Sequence, residues 1–187
     1  MIAALTDAFA DEPLLNWWLK QGAEKEAARR GFFDYAVRGG VHPNAEHWLI
    51  GDGDAAAIWT PPGAAAFDLS PLRMLRAVPR LLRVAGISGM RRALDLGEML
   101  TAHHPKAPHA HLVFLGVRTS RQGQGLGSVM LKTTLAGVDA QRIGAYLETA
   151  TEANVRLYQR HGFDVAAELA CPGGGPPFWT MWRAPRL

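Results

Sequence analysis

A mixed α/β fold is the reading these 187 residues support, and three observations carry it. "HLVFLGV" (111–117) is an apolar run of strand length. "RQGQGLGSVM" (121–130) then places Gly123, Gly125 and Gly127 at alternate positions, directly before an apolar helical pattern. "AYLETA" (145–150) follows as another strand. Strand, glycine loop, helix and strand in that order aim a helix N-terminus at whatever lies beyond the strand ends.

Composition bounds the rest. Hydrophobic residues make up 48% of the chain and charged residues 20%, which suits one core and a single domain spanning 1–187. Basic residues exceed acidic ones by 20 − 17 = 3, a surplus too small to mark a nucleic-acid partner. Cys171 is the only cysteine; it excludes an intramolecular disulfide and points to a reducing, cytoplasmic setting. No stretch approaches 18 uninterrupted apolar residues, and "MIAALTDAFADEP" carries acids where an export signal carries bases, so no membrane association is expected.

Taken in order, Ile2, Leu5 and Phe9 share a helical face that "DEP" and Pro13 end or kink. A second helix is predicted from about residue 23 to 37, closed by Gly39 and Gly40. "HWLIGDGDAAAIWT" (47–60) reads as a β-hairpin with Asp and Gly in its turn. From Asp68 to about His103 the pattern is helical with interruptions at Pro79 and "AGISG", which predicts two or three short helices. There Arg73, Arg76, Arg80 and Arg83 share one face, opposite Leu72, Leu75 and Leu82. The later elements are a helix over 126–140, a short helix over 154–161 with Gly162 as its C-cap, and two final strands, "FDVAAEL" and "FWTMWR".

The glycine loop is narrowed by elimination. No Gly-Lys pair exists for a P-loop, and counting from Gly123 puts Ser128 where a dinucleotide fingerprint needs its third glycine. Alternate glycines leave the intervening amides free to form an anion-binding nest, and Arg118 or Arg121 lies close enough in sequence to meet outer phosphates. Asn154 and Tyr158, four apart on a helix, share a face. His103, His104, His109 and His111 fall within nine residues, but prolines and a strand entry break the spacing, and no metal site is expected.

"GVRTSRQGQGLGSVML" followed by "YLETATEANVRLYQRHGF" resembles the GCN5-related N-acetyltransferase (GNAT) superfamily, whose loop pattern Q/R-x-x-G-x-G/A falls on Gln122, Gly125 and Gly127. More narrowly, "HPKAPHAHLVFLGV", "LET" and the closing "GPPFWTMWR" resemble the puromycin N-acetyltransferase branch. The resemblance covers 103–183 and extends to "AFADEP" and "AAIWTPPG". It implies a mixed, mostly antiparallel sheet flanked by helices and splayed between the strands at 111–117 and 145–150, with acetyl-CoA in the gap. The family's usual first strand is not found, since the chain opens almost inside the first helix; either that strand is absent or the start is truncated, and an uncovered sheet edge makes a homodimer possible.

The resemblance also implies roles. The backbone of Leu115 and Val117 pairs with the pantetheine arm, the amides of Gln122, Gly123, Gln124, Gly125, Leu126, Gly127 and Ser128 hold the pyrophosphate, and Asn154 bonds the pantetheine. Tyr158 protonates the CoA thiolate. Glu148 is the first candidate for the base that takes the amine proton, near Tyr158; His109 and His111, alone or through water, are alternatives. Residues 68–102 form a helical lid over the acceptor site, and 111–183 the acetyl-CoA-binding core. Trp17, Trp18, Trp48 and Trp59 are either pocket wall or core. The expected activity is transfer of an acetyl group to the amine of a small molecule by direct attack. The alternative is a non-catalytic acyl-CoA-binding protein.

Overall fold

The computed structural model describes residues 1–67, 70–171 and 173–186. Asp68 and Leu69, at the start of the expected lid, lie outside the described residues. One six-stranded sheet runs in the order β1-β2-β3-β4-β6-β5. The expected hairpin is β1 (Glu46–Ile50) and β2 (Ala55–Thr60). It is followed by β3 (His109–Val117), β4 (Gly144–Thr149), β5 (Asp164–Ala170) and β6 (Pro177–Arg183). Only β3 and β4 are parallel; every other neighbouring pair is antiparallel. Among the described residues the outer edge of β1 has no strand partner.

All of β2 is buried because helices cover both faces of the sheet there. Ala56 and Ile58 pack into one core with Leu5, Phe32 and Phe33, while Ala55, Ala57 and Trp59 enter the other with Met130, Leu131 and Leu147. This is the period-two alternation of a strand between two layers. The first core is built on α1 (Ile2–Ala8), α2 (Pro13–Trp18) and α3 (Lys25–Tyr35). Pro13 does more than end a helix: it stands at the start of α2, where its missing N–H costs nothing. Buried Arg29 of α3 donates from Nε to the Thr6 carbonyl at 2.6 Å, tying α3 to the C-terminal end of α1. The second core lies under α5 (Leu126–Ala140) and α6 (Glu152–Gln159). Arg183 of β6 grips Asp139 of α5 with two hydrogen bonds of 2.6 and 2.9 Å.

The expected run of short helices at 68–102 is instead α4 (Pro71–His103), bent once. Pro79 sits within it without ending it, and the break falls at Gly86, whose φ of 68° only glycine adopts readily. At that break the Val84 carbonyl accepts the Lys20 N–H at 2.9 Å, a bond that leads the α2–α3 connection onto α4. The facing of α4 also differs from expectation. Leu72, Leu75 and Leu82 are exposed, whereas Ala77 and Val84 are buried. Small and β-branched side chains make the close contact with α2 and α3, which leaves the leucines outward. Trp18 and Trp59 are core, Trp48 is half-buried against the second core, and Trp17 opens on a cavity.

Candidate active site

β3 and β4 pair only from His109 opposite Gly144 to Leu112 opposite Leu147. Beyond Leu112, the side of β3 that faces β4 has no partner through Val117, although its other side stays paired with β2. The cause is local. Ile58 faces Phe114 and Trp59 faces Leu112, so one extra residue, Val113, bulges from β3 and bends it where pairing with β4 stops. Leu115 and Val117 lie on this unpaired length.

The loop after β3 closes the same end of the sheet. Gly123 and Gly125 have φ of 74° and 80°, a region where any other L-residue loses roughly 1–2 kcal/mol. Gly127 is helical, and a Cβ there meets only Leu157 and Val117 at ordinary contact distances. It marks the point where α5, α6 and β3 converge. Among the described residues, the backbone N–H groups from Gly123 to Ser128 donate to no acceptor in the chain. Six unmet donors at the positive end of a 15-residue helix form an anion cradle. Gln122 fixes its entrance by donating from Nε2 to the Val117 carbonyl at 3.1 Å. Arg118 and Arg121 do not face the cradle as expected: Arg118 donates to the Gly53 carbonyl at 2.9 Å, and Arg121 pairs with Asp54 at 3.2 Å, both in the β1–β2 turn.

Helix α6 brings up Tyr158 and Asn154. His161, just after α6, meets the Ser128 hydroxyl of α5 at 3.0 Å and holds the two helices together. Tyr158 is buried edge-on against Phe163, and among the described residues its hydroxyl makes no hydrogen bond. Burial pushes its phenol well above the usual tyrosine range. Asn154, one turn earlier, is half-buried with its side-chain amide unpaired among the described residues.

Glu148 is not beside Tyr158. Alternation along β4 puts Leu147 in the core with Tyr158 and turns Glu148 to the opposite face. There His111 Nε2 lies 2.8 Å from Glu148 Oε2. Burial alone raises the Glu148 carboxyl, but His111 outweighs it and holds the group below the usual carboxylate range. His109 and His104 stand next to this pair, with 3.2 Å between their Nε2 atoms. Burial draws both imidazoles below the ordinary histidine range. The expected candidates Glu148, His109 and His111 are therefore gathered, together with Tyr146 and His104. Tyr146, not singled out in the sequence, could have been found there, since it lies two residues from Glu148 on the same strand face; His104 stood there only among four clustered histidines, because its place depends on where α4 ends. His103 turns back to the Met99 carbonyl and stays outside. Among the described residues no three such groups converge as a metal ion requires.

A cavity of about 690 Å³ lies between α2, the second half of α4 and the β5–β6 connection, lined by Trp17, Ile87, Ser88, Arg91, Arg92 and Asp95. Arg92 lies over the Trp17 ring at 5.6 Å and donates to the Trp17 carbonyl at 2.8 Å.

Residues 84–165 match the family model described as the acetyltransferase (GNAT) domain. The fold is similar to a histone acetyltransferase HPA2 and related acetyltransferase from Corynebacterium glutamicum, with a TM-score of 0.73 and 24% identity over 100% of this chain and 90% of that one. It is also similar to a polyamine N-acetyltransferase from Drosophila melanogaster that forms N-acetylagmatine, with a TM-score of 0.61 and 19% identity over 96% of this chain and 90% of that one.

Proposed function

We propose, from the premise that this chain belongs to the GNAT acetyltransferase superfamily, that it moves the acetyl group of acetyl-CoA to an amine of a small molecule by direct attack in a ternary complex. One observation carries the reading: six unmet amides heading α5 stand beside the unpaired edge of β3. The cradle suits a pyrophosphate and the strand edge an extended arm bearing amides, so the residues present fit this cosubstrate. When bound, it supplies a thioester carbonyl for the amine and a thiol as leaving group.

The chain's own groups then divide the work. Gln122 and the amides of Gly123, Gln124, Gly125, Leu126, Gly127 and Ser128 hold the phosphates, and the main chain of Leu115 and Val117 with the Asn154 amide holds the arm. Tyr158 protonates the departing thiolate. An ordinary phenol near pKa 10 gives its proton uphill to a thiolate near 8.5. Burial raises Tyr158 further, yet it raises a thiol leaving into the same space for the same reason. On the other face Glu148 and His111, 2.8 Å apart, act together as one base. His111 donates its Nε2–H to the carboxylate, and the pair takes up the proton lost by the amine.

The cavity beside Trp17 lies in the size range of small-molecule sites, but none of the groups gathered around Glu148 lines it, so it does not place the acceptor. Fold neighbours act on different acceptors, so the fold does not choose among them. The lone Cys171 supports a reducing compartment such as the cytoplasm. The free edge of β1 supports a homodimer formed by strand addition; light scattering at micromolar concentration reads it, and a monomer removes it.

The direct test is release of CoA thiol from acetyl-CoA across a panel of small amines, with the product weighed by mass spectrometry. An acetylated amine and stoichiometric free thiol are expected. Acetyl-CoA binding without turnover on any amine identifies a non-catalytic acyl-CoA-binding protein instead.

A further inference from the structure

Resting on that reading, we infer that His104, at the end of α4, is the outlet through which the proton taken up by Glu148 and His111 leaves the buried site. Hydrogen bonds set the tautomer of each ring. His109 Nδ1 lies 2.7 Å from the Ala107 carbonyl, which only accepts, so His109 carries its proton on Nδ1 and its Nε2 is bare. His104 Nε2, at 3.2 Å from that bare nitrogen, must then be the donor. This leaves His104 Nδ1 as an unprotonated acceptor. By the same rule His111 holds its proton on Nε2 against the Glu148 carboxylate and leaves Nδ1 bare.

Two polar atoms at the centre of this group are fully buried and without a geometric hydrogen-bond partner: His111 Nδ1 and the Tyr146 hydroxyl. Each such atom is costly to keep and calls for a reason. The rings are packed around that point. His104 stands 5.4 Å from His111 and 5.0 Å from Tyr146 between ring centroids, and His111 stands 5.1 Å from Tyr146. His109 and His111 are buried, whereas His104 is half-buried and reaches solvent.

The proton balance follows. The pair holds one proton between His111 Nε2 and the Glu148 carboxylate, and the proton gained from the amine adds on His111 Nδ1. That proton passes to His104 Nδ1 through the Tyr146 hydroxyl, which accepts one proton as it gives up its own once the rings turn to close the hydrogen bonds that the resting arrangement lacks. His104 is then an imidazolium at the surface and releases the proton to water, and the pair is restored. The groups facing this path are His104 from α4, His109 and His111 from β3, and Tyr146 and Glu148 from β4. Burial and the neighbouring imidazoles keep His104 neutral at rest, which favours release. His104 touches no reactant; it acts through His111.

Two measurements test this. Long-range proton–nitrogen NMR on the free protein is expected to find His104 and His111 in the Nε2–H form and His109 in the Nδ1–H form; a different tautomer at His104 or His111 overturns the outlet whatever the activity. Next, His104→Ala in a folded protein with unchanged acetyl-CoA affinity is expected to lower kcat on the order of tenfold to a hundredfold, within the reach of one acid–base group. Added imidazole is expected to restore the rate in proportion to its concentration. An unchanged kcat, or a loss that imidazole does not rescue, overturns the outlet. If the native chain transfers no acetyl group to any amine, the parent reading fails, and the tautomers remain a separate result.

Discussion

The two faces of the sheet at its splay are built on opposite terms. On the α5–α6 face the cradle is main chain: unmet amides, left-handed glycines and a bare strand edge, with Tyr158 and Asn154 added from one helix. On the other face the groups are side chains drawn from β3, β4 and the end of α4, bound to one another by short contacts. Backbone recognition suits a cosubstrate whose phosphates and amides never change. On the proposed reading, side-chain recognition would let the opposite face choose an acceptor without disturbing the first. The comparison teaches where substitutions separate binding from turnover.

Substitutions at Tyr158 and Glu148 break the comparison most sharply. Tyr158→Phe is expected to lower kcat by about 10²–10⁴-fold with acetyl-CoA affinity unchanged, as steady-state kinetics and calorimetry together will show; equal activity removes the phenol from the mechanism. Glu148→Gln is expected to cost about 10²-fold or more and to change the acid limb of the pH profile. In the native protein the base must be unprotonated, so kcat/KM rises with pH to a plateau. With its pKa pushed up by burial, Tyr158 stays protonated well above pH 8, and no alkaline fall belongs to it. A fall between pH 8 and 9 in kcat/KM on an amine of constant charge contradicts that assignment.

Stability offers a contrast remote from both faces. Asp139 is held below the usual carboxylate range by Arg183, whose own side chain is 3% exposed. Because the folded pKa is depressed, this contribution is present above the unfolded value near 3.9 and is lost as pH falls below it. Asp139→Ala leaves a buried guanidinium without its carboxylate, holding only its Nε–H bond to the His161 carbonyl, at a cost of about 3 kcal/mol, which lowers Tm by roughly 6–12 °C in a chain of this size. Calorimetry reads the shift, and kcat at a temperature where the variant is folded is expected to hold. The smallest effect is at Gln122→Ala: losing the bond to Val117 is expected to weaken acetyl-CoA about 2–10-fold, the worth of one neutral hydrogen bond, with kcat unchanged.

The same difference explains what could be read in the sequence. Glycines at 123 and 125, a four-residue step from Asn154 to Tyr158 and the end of the 111–117 strand all lie within 48 residues, and the cradle they form depends on local backbone rules. The helix over 126–140 and the hairpin over 47–60 were legible for that reason. Glu148 was legible as a candidate but not its side of the sheet, because alternation gives two faces and only packing tells them apart. The Val113 bulge has no signature in residue type. Pro79 and "AGISG" suggested several breaks in 68–102, yet packing on α2 and α3 carried the helix through the proline and spent the single break at Gly86. Arg118 and Arg121 read as phosphate ligands until the β1–β2 turn, more than 60 residues earlier, was seen to hold them.

The most direct measurement is thermal unfolding with excess acetyl-CoA, beside CoA, NAD and ATP, in the native chain and in Gly125→Val. At a hundred times Kd a ligand adds about 2.7 kcal/mol, which corresponds to a rise of roughly 5–10 °C. The account predicts that rise for acetyl-CoA and CoA alone and its loss in Gly125→Val, where a β-branched side chain disrupts the left-handed turn of the cradle. No rise with either thioester or thiol in a cooperatively folded native sample, or a rise that survives in Gly125→Val, contradicts it.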